Sequence, residues 1–80
     1  MDIQSEQADS TELVLMDVGE TCRFFGGSNS PLNPATLYRG IKVGKYPPPL
    51  KVGPGTSRWI RSECEKALRK MIAERDQEAA

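Results

Sequence analysis

Histidine is absent from this 80-residue sequence, and cysteine occurs only twice, at Cys22 and Cys64. Two thiols without further cysteine or histidine cannot make the usual four-ligand zinc site, so no metal is expected. A disulfide is one alternative for the pair, but two buried free thiols are the expectation for a cytosolic protein. The chain also lacks a glycine-rich phosphate loop and a carboxylate pair in its basic part. We therefore expect neither an enzyme nor a bound cofactor.

Long apolar runs are missing as well. The run at residues 13–16 is far too short to span a bilayer. The first residues are acidic and lack the basic segment with which a signal peptide begins. The sequence therefore predicts neither export nor membrane association.

The length allows one small domain at most. Residues 1–12 are polar, acidic and without periodicity, which predicts a disordered acidic leader. Residues 77–80 are expected to fray, so the folded domain is predicted to span residues 13–76. A core of that size is close to the lower limit for a self-supporting fold.

Acidic residues are absent between Thr21 and Arg61, although the whole chain has 11 acids, 11 bases and no formal net charge. Seven basic residues lie in this window: Arg23, Arg39, Lys42, Lys45, Lys51, Arg58 and Arg61. Residues 1–20 hold six acids and no base, whereas residues 62–80 hold five acids and four bases. A basic stretch of this kind is typical of proteins that contact polyphosphate. The alternative is a solvated basic face without a partner.

Capping patterns predict two short helices at the start of the domain. Asp17 and Glu20 have the spacing of a capping box, and glycines 26 and 27 predict a left-handed end to the first helix. The residues expected on its inward face are Val18, Cys22 and Phe25. Asn33 and Pro34 then predict the N-cap and first residue of a second helix.

The second helix is predicted to end at Gly44, the residue type that caps helix C-termini. Leu37 and Ile41 are expected to face inward. Gly40 lies inside this helix, where glycine costs up to ~1 kcal/mol relative to alanine. We expect Gly40 to be a weak spot rather than a place of close backbone approach.

A hairpin is predicted after the second helix. The three prolines at residues 47–49 cannot be helical and are expected to be extended. Alternation predicts strands at residues 50–52 and 58–60, joined by a turn at residues 53–57. Trp59 is expected in the core because the apolar residues Val52 and Ile60 flank its strand.

The longest helix is predicted to begin at a second capping box, formed by Ser62 and Glu65. Its inward stripe is expected to contain Cys64, Ala67, Leu68, Met71, Ile72 and Arg75. Residues 13–16 are expected to add a short strand or to cover the core with apolar side chains. The predicted fold is mainly α with a small β-hairpin wing, which is the arrangement of a winged helix-turn-helix.

The basic window contains a series of short motifs in a fixed order. They are Thr36-Leu37-Tyr38-Arg39, Lys42-Val43-Gly44-Lys45-Tyr46-Pro47-Pro48-Pro49-Leu50-Lys51-Val52-Gly53, Arg58-Trp59 and Ser62-Glu63-Cys64-Glu65. The series resembles the AlpA-type prophage regulators, which belong with the small excisionases in the MerR-like winged-helix group. The resemblance covers about residues 15–71.

The resemblance implies sequence-preferring binding to double-stranded DNA, with the second helix in the major groove and the hairpin as a wing. The positions that it assigns to DNA are Thr36, Tyr38, Arg39 and Lys42 in the helix and Lys51, Thr56, Ser57 and Arg58 in the wing. Arg39 has the side chain for a bidentate contact to guanine. Lys45 is expected to join the other lysines as a phosphate contact. In this pattern Trp59 anchors the wing to the last helix.

Two roles within DNA binding stay open. The first is an excisionase, or recombination directionality factor, which bends attachment-site DNA so that a tyrosine integrase excises a mobile element. The second is a transcription regulator of a prophage or integrative element. Outside DNA binding, the alternative is a protein-interaction module or anti-repressor. The expected partners are duplex DNA, the integrase and further copies of the chain in head-to-tail contact, and no small-molecule ligand is expected. The expected location is the bacterial nucleoid in the cytoplasm.

Overall fold

The structure is a computed structural model that describes residues 13–79. Three helices and three short strands make up this part of the chain. In order they are β1 (Leu15–Met16), α1 (Val18–Gly26), α2 (Pro34–Lys42), β2 (Leu50–Gly53), β3 (Thr56–Ile60) and α3 (Arg61–Ala79). The predicted leader at residues 1–12 lies outside the described residues. The predicted tail from residue 77 belongs to α3 as far as Ala79.

The strands form one antiparallel sheet in the order β1-β3-β2, so β3 is central. β1 pairs Leu15 with Ile60 and Met16 with Trp59, which confirms the first of the two alternatives for residues 13–16. β2 and β3 form the predicted hairpin. Its turn is shorter than predicted, at residues 54–55, because Gly53 and residues 56–57 already belong to the strands.

α1 begins at the predicted capping box. The Asp17 side chain accepts a hydrogen bond from the Glu20 amide at 2.8 Å, and the Glu20 side chain accepts one from the Asp17 amide at 2.9 Å. The helix ends at Gly26, and Gly27 has a positive φ of 104° with an extended ψ of 153° rather than the left-handed helical conformation.

The inward face of α1 differs from the prediction. Thr21 and Cys22 are buried, whereas Phe25 is half-buried and Val18 is exposed. Thr21 can be buried because its hydroxyl donates a hydrogen bond to the Asp17 carbonyl oxygen at 2.8 Å. A pattern of apolar residues alone could not predict that Thr21 is buried, because the burial of its hydroxyl depends on this hydrogen bond.

α2 begins and ends as predicted. The Asn33 side chain accepts a hydrogen bond from the Ala35 amide at 2.8 Å. At the other end Gly44 has a φ of 84°, its amide donates to Ile41 O, and the Lys45 amide donates to Gly40 O at 2.7 Å. These bonds make a Schellman motif, which satisfies the last helical carbonyls.

The prediction for Gly40 was wrong. A Cβ atom on Gly40 would lie 2.3 Å from Cδ2 of Tyr46, whose side chain is buried. Tyr46 also packs against Phe25, with 4.6 Å between the ring centroids. The missing side chain therefore makes room for an aromatic ring on the inner face of α2.

α3 follows β3 without a break, and the amide of Arg61 donates a hydrogen bond to Val14 O at 2.8 Å. The second predicted capping box does not form. Ser62 lies inside the first turn, and no hydrogen bond joins its side chain to the Glu65 amide in the described part of the chain. The helix start is fixed instead by the sheet beside it.

The core is small and centred on Trp59. Its buried apolar residues are Met16, Cys22, Leu37, Tyr46, Trp59 and Cys64. Trp59 is fully buried, as predicted, and its indole N–H donates to Pro47 O at 3.0 Å. Both cysteines are buried free thiols, also as predicted.

The stripe predicted for α3 is buried only in part. Cys64 is buried, and Met71 packs against the edge of the core. Every residue from Ile72 to Glu78 is exposed, including Arg75. The predicted apolar stripe therefore extends beyond the part of α3 that contacts the core.

Candidate nucleic-acid interface

The outward face of α2 carries two cations beside an aromatic ring. Leu37 and Gly40 are buried on the inner face, so the helical period places Arg39 and Lys42 on the opposite side and Tyr38 at its edge, and all three are exposed. Together with Ala35 and Ile41 they line a shallow depression. The core thus holds this helix by one face and presents the other to solvent.

Arg39 is positioned by a neighbour on its own helix. Its guanidinium donates a hydrogen bond to the Thr36 hydroxyl at 3.3 Å, and Thr36 itself is half-buried. In the described residues the ion pairs are Arg61–Glu65 and Arg75–Asp76, so Arg39 has no carboxylate partner there. An exposed guanidinium of this kind is available to a phosphate or to the edge of a base.

The register of the hairpin decides which of its predicted site residues share a face with Trp59. Ser57 and Trp59 lie on one face of β3 because they are two residues apart, and Lys51 is directly opposite Ser57. The Trp59 ring lies 6.0 Å from the ring of Tyr38 in an edge-to-face arrangement. Lys51 and Ser57 therefore lie on the same face of the hairpin as the aromatic ring that contacts Tyr38.

The other two hairpin residues that the resemblance assigns to DNA lie on other parts of the hairpin. Arg58 projects from the opposite face of β3, where it is paired with Leu50, and its guanidinium donates to the Ser57 carbonyl oxygen at 2.8 Å. Thr56 is at the hairpin tip, and its hydroxyl donates to Pro54 O at 3.3 Å.

Lys45 is also separate from the exposed face of α2. It follows the Schellman motif and lies in a groove beside α3, with its ammonium 5.7 Å from the centroid of the Tyr46 ring. Of the nine predicted site residues, four lie on α2: Thr36, Tyr38, Arg39 and Lys42. Lys51 and Ser57 are paired with each other on one face of the hairpin.

Sequence reasoning missed a second cationic cluster. Lys66, Arg69 and Lys70 are exposed on α3 and line the same groove as Lys45. They lie in the segment of mixed charge, so the net charge of that segment concealed them. The spacing of three and four residues on a helix is the signal that could have identified them.

The two thiols are not placed for nucleophilic chemistry. Burial, together with the neighbouring carboxylates of Glu63 and Glu65, raises the pKa of the Cys64 thiol from its ordinary value of 9.0 to about 11. Burial also raises the pKa of Cys22, against the opposing effect of Arg23. Both groups are therefore protonated at neutral pH, and a protonated thiol is a poor nucleophile.

The described residues contain no cluster of three metal-ligating side chains. None of the helices in the same part of the chain has the length and apolar character needed to cross a lipid bilayer. No protein-family model, curated protein or solved structure matches this chain.

Proposed function

We propose that this protein binds double-stranded DNA as a winged helix-turn-helix, with α2 in the major groove and the β2–β3 hairpin as the wing. The observation that carries the proposal is the outward face of α2. Arg39 and Lys42 are exposed there beside Tyr38, while Leu37 and Gly40 hold the opposite face in the core. A helix that enters a groove needs one face for its scaffold and the other for the DNA.

Contacts divide by side-chain chemistry. Arg39 reads a base edge, since a guanidinium can bond two acceptors of guanine at once. Lys42 and Lys51 contact phosphates and set the position of the protein on the duplex. Tyr38 lies at the junction between α2 and the hairpin, against Trp59.

Within this proposal, an excisionase that bends attachment-site DNA for a tyrosine integrase is the preferred role. The motif series between Thr36 and Glu65 supports a DNA-binding role through its resemblance to the AlpA-type prophage regulators, which belong with the small excisionases. Copies bound side by side on the DNA, in head-to-tail contact, would extend the bend. A transcription regulator would use the same contacts, and a gene position beside an integrase gene and an attachment site would favour the excisionase.

The salt dependence of binding tests the surface as a whole. Two exposed cations, Lys42 and Lys51, are assigned to phosphates. The logarithm of the affinity should therefore fall with a slope of about −2 against the logarithm of salt concentration, at ~0.9 per phosphate neutralised. A slope near zero would contradict DNA binding through this surface.

Single variants test the division of roles, with a duplex selected by the wild-type protein from a randomised pool and a scrambled duplex as competitor. Arg39→Ala should lose ~1–3 kcal/mol of discrimination between the two duplexes. Lys51→Ala should weaken both by a similar factor. Arg75→Ala is the matched control, because Arg75 is an exposed arginine on the last turns of α3 and should leave both affinities unchanged.

Equal losses on both duplexes for Arg39→Ala would assign Arg39 to a phosphate instead of a base. Failure of the wild-type protein to enrich any duplex, together with unchanged weak binding in all three variants, would contradict the proposed function.

A further inference from the structure

A second concave surface adjoins the depression on the outward face of α2 at Ile41, which lines both. It is a groove of about 850 Å³ between α3 and the segment that follows α2. Its apolar lining consists of Ile41, Tyr46, Pro47, Pro48 and Ala67. Such a lining favours a ligand that can bury apolar side chains.

Cations surround this apolar lining. They are Lys45, Lys66, Arg69 and Lys70, against the single carboxylate of Glu63. Neither ion pair in the described residues includes any of the four. The groove therefore combines an apolar floor with an excess of positive charge that is available to a partner.

The wall opposite α3 is held by hydrogen bonds. The Lys45 amide donates to Gly40 O at 2.7 Å, and the Trp59 indole donates to Pro47 O at 3.0 Å. Pro47 and Pro48 have fixed φ angles, which limits rearrangement further. A preformed wall reduces the entropy lost on binding.

The groove continues into a smaller depression of about 320 Å³ that shares Gly44, Lys45, Ala67 and Lys70 with it and adds one more carboxylate, Glu74. Val43 lines this extension and is 79% exposed, more than any other large apolar side chain in the described residues. The two depressions adjoin through the residues they share, so a bound peptide can contact both, and the cations still outnumber the carboxylates.

We propose that this groove is a docking site for an acidic peptide segment of a protein partner, one that carries apolar side chains between its carboxylates. Charge complementarity to the four cations selects the acidic residues, and the apolar floor selects the side chains between them. Duplex DNA fits the groove poorly because its phosphates would gain nothing from the apolar floor of prolines, Ile41 and Ala67.

This inference is independent of the proposed DNA binding. Tyr38, Arg39 and Lys42 do not line the groove. Substitutions at the two surfaces should therefore separate the two activities.

Selection from a randomised peptide library on the full chain tests the proposal. The enriched peptides should contain several Asp or Glu residues interspersed with apolar ones. The double variant Lys66→Ala/Lys70→Ala should weaken the binding of a selected peptide by at least about tenfold, because the groove loses two of its four cations. Both positions are exposed on α3 and alanine has a high helix propensity, so the variant should remain folded. Val43→Ser should weaken peptide binding severalfold. The matched control Arg39→Ala/Lys42→Ala should leave peptide affinity unchanged.

Several outcomes would overturn the docking site. They include enrichment of peptides without acidic residues and equal binding of acidic peptides by the Lys66/Lys70 variant. Weaker duplex binding in that variant would assign the groove to nucleic acid. A wild-type oligomer in sedimentation that the same variant dissociates would assign the groove to a second copy of the chain.

Discussion

Gly40 and Tyr46 show how one missing side chain can shape the core of so small a protein. The Tyr46 ring occupies the space that a Cβ atom on Gly40 would need, and Phe25 closes the other side of the ring. Glycine inside a helix normally weakens it. Here the cost in helix propensity is offset by the burial of an aromatic side chain that closes the core beneath α2.

Gly40→Ala should therefore lower the free energy of unfolding by ~1–3 kcal/mol, the usual cost of inserting a methyl group into a packed core. Urea denaturation followed by circular dichroism measures it. The matched background is Tyr46→Val, which removes the clashing ring atoms. In that background the same change should instead raise stability by up to ~1 kcal/mol through helix propensity. Destabilisation by the same amount in both backgrounds would contradict the role given to the ring.

The burial of Tyr46, unlike that of Trp59, could not be predicted from the sequence. Trp59 could be placed in the core because the apolar residues Val52 and Ile60 flank its strand. Tyr46 lies in a loop between Gly44 and the prolines, where no periodicity exists, and its burial depends on a glycine six positions earlier. A contact of this kind is fixed by how the chain turns after α2, which no local pattern encodes.

At the scale of elements, the starts of α1 and α3 are determined in different ways, one by residues within the same turn and the other by a contact distant in sequence. The capping box of Asp17 forms as its spacing predicts, because both of its hydrogen bonds are made within one turn. The equivalent spacing at Ser62 does not produce a cap, since β3 continues directly into α3 and the Arg61 amide bonds to the Val14 carbonyl oxygen. One start is determined by sequence neighbours and the other by a distant strand.

Paired substitutions test this difference. Asp17→Ala should lower the free energy of unfolding by about 1 kcal/mol, the usual cost of losing an N-cap. Ser62→Ala should change it by less than ~0.5 kcal/mol, because no cap is lost and alanine favours the helix interior. Thermal melts of the two variants under the same conditions provide the comparison. A similar loss for both would mean that Ser62 does cap α3.

The candidate site could be predicted only in part for the same reason. Arg39 and Lys42 were assigned to DNA through the resemblance, and helical spacing predicted only that they lie on other faces of α2 than Leu37. The side of the hairpin that carries Lys51 or Arg58 depends on the register of β3 with both neighbouring strands and on the irregularity between Lys51 and Gly53. A shift of one residue would exchange the two faces, and nothing in the sequence fixes the register that closely.

At the scale of the whole molecule, Trp59 joins parts of the chain that otherwise touch little. It pairs with Met16 of β1, contacts Tyr38 of α2 and donates a hydrogen bond to Pro47 in the segment between α2 and the hairpin. Both proposed binding surfaces therefore depend on one buried side chain, the DNA surface through Tyr38 and the groove through Pro47.

Trp59→Ala should cost ~3–5 kcal/mol and unfold most of the protein, given the few kcal/mol expected of so small a domain. Trp59→Phe keeps most of the ring but leaves the Pro47 carbonyl without its donor, so it should cost ~1–3 kcal/mol and remain folded. Far-ultraviolet circular dichroism during heating distinguishes the two. A melting temperature for Trp59→Ala close to that of the wild type would contradict its central place in the core.

The last turns of α3 do not pack against the core of the domain. All side chains from Ile72 to Glu78 are exposed, so these turns can unwind without opening the core. Their backbone amide hydrogens should exchange with solvent at rates set by helix fraying, whereas those near Cys64 should exchange only when the domain unfolds. The end of α3 is thus thermodynamically uncoupled from the domain, and a protease that removed it would leave the cooperative folding unit intact.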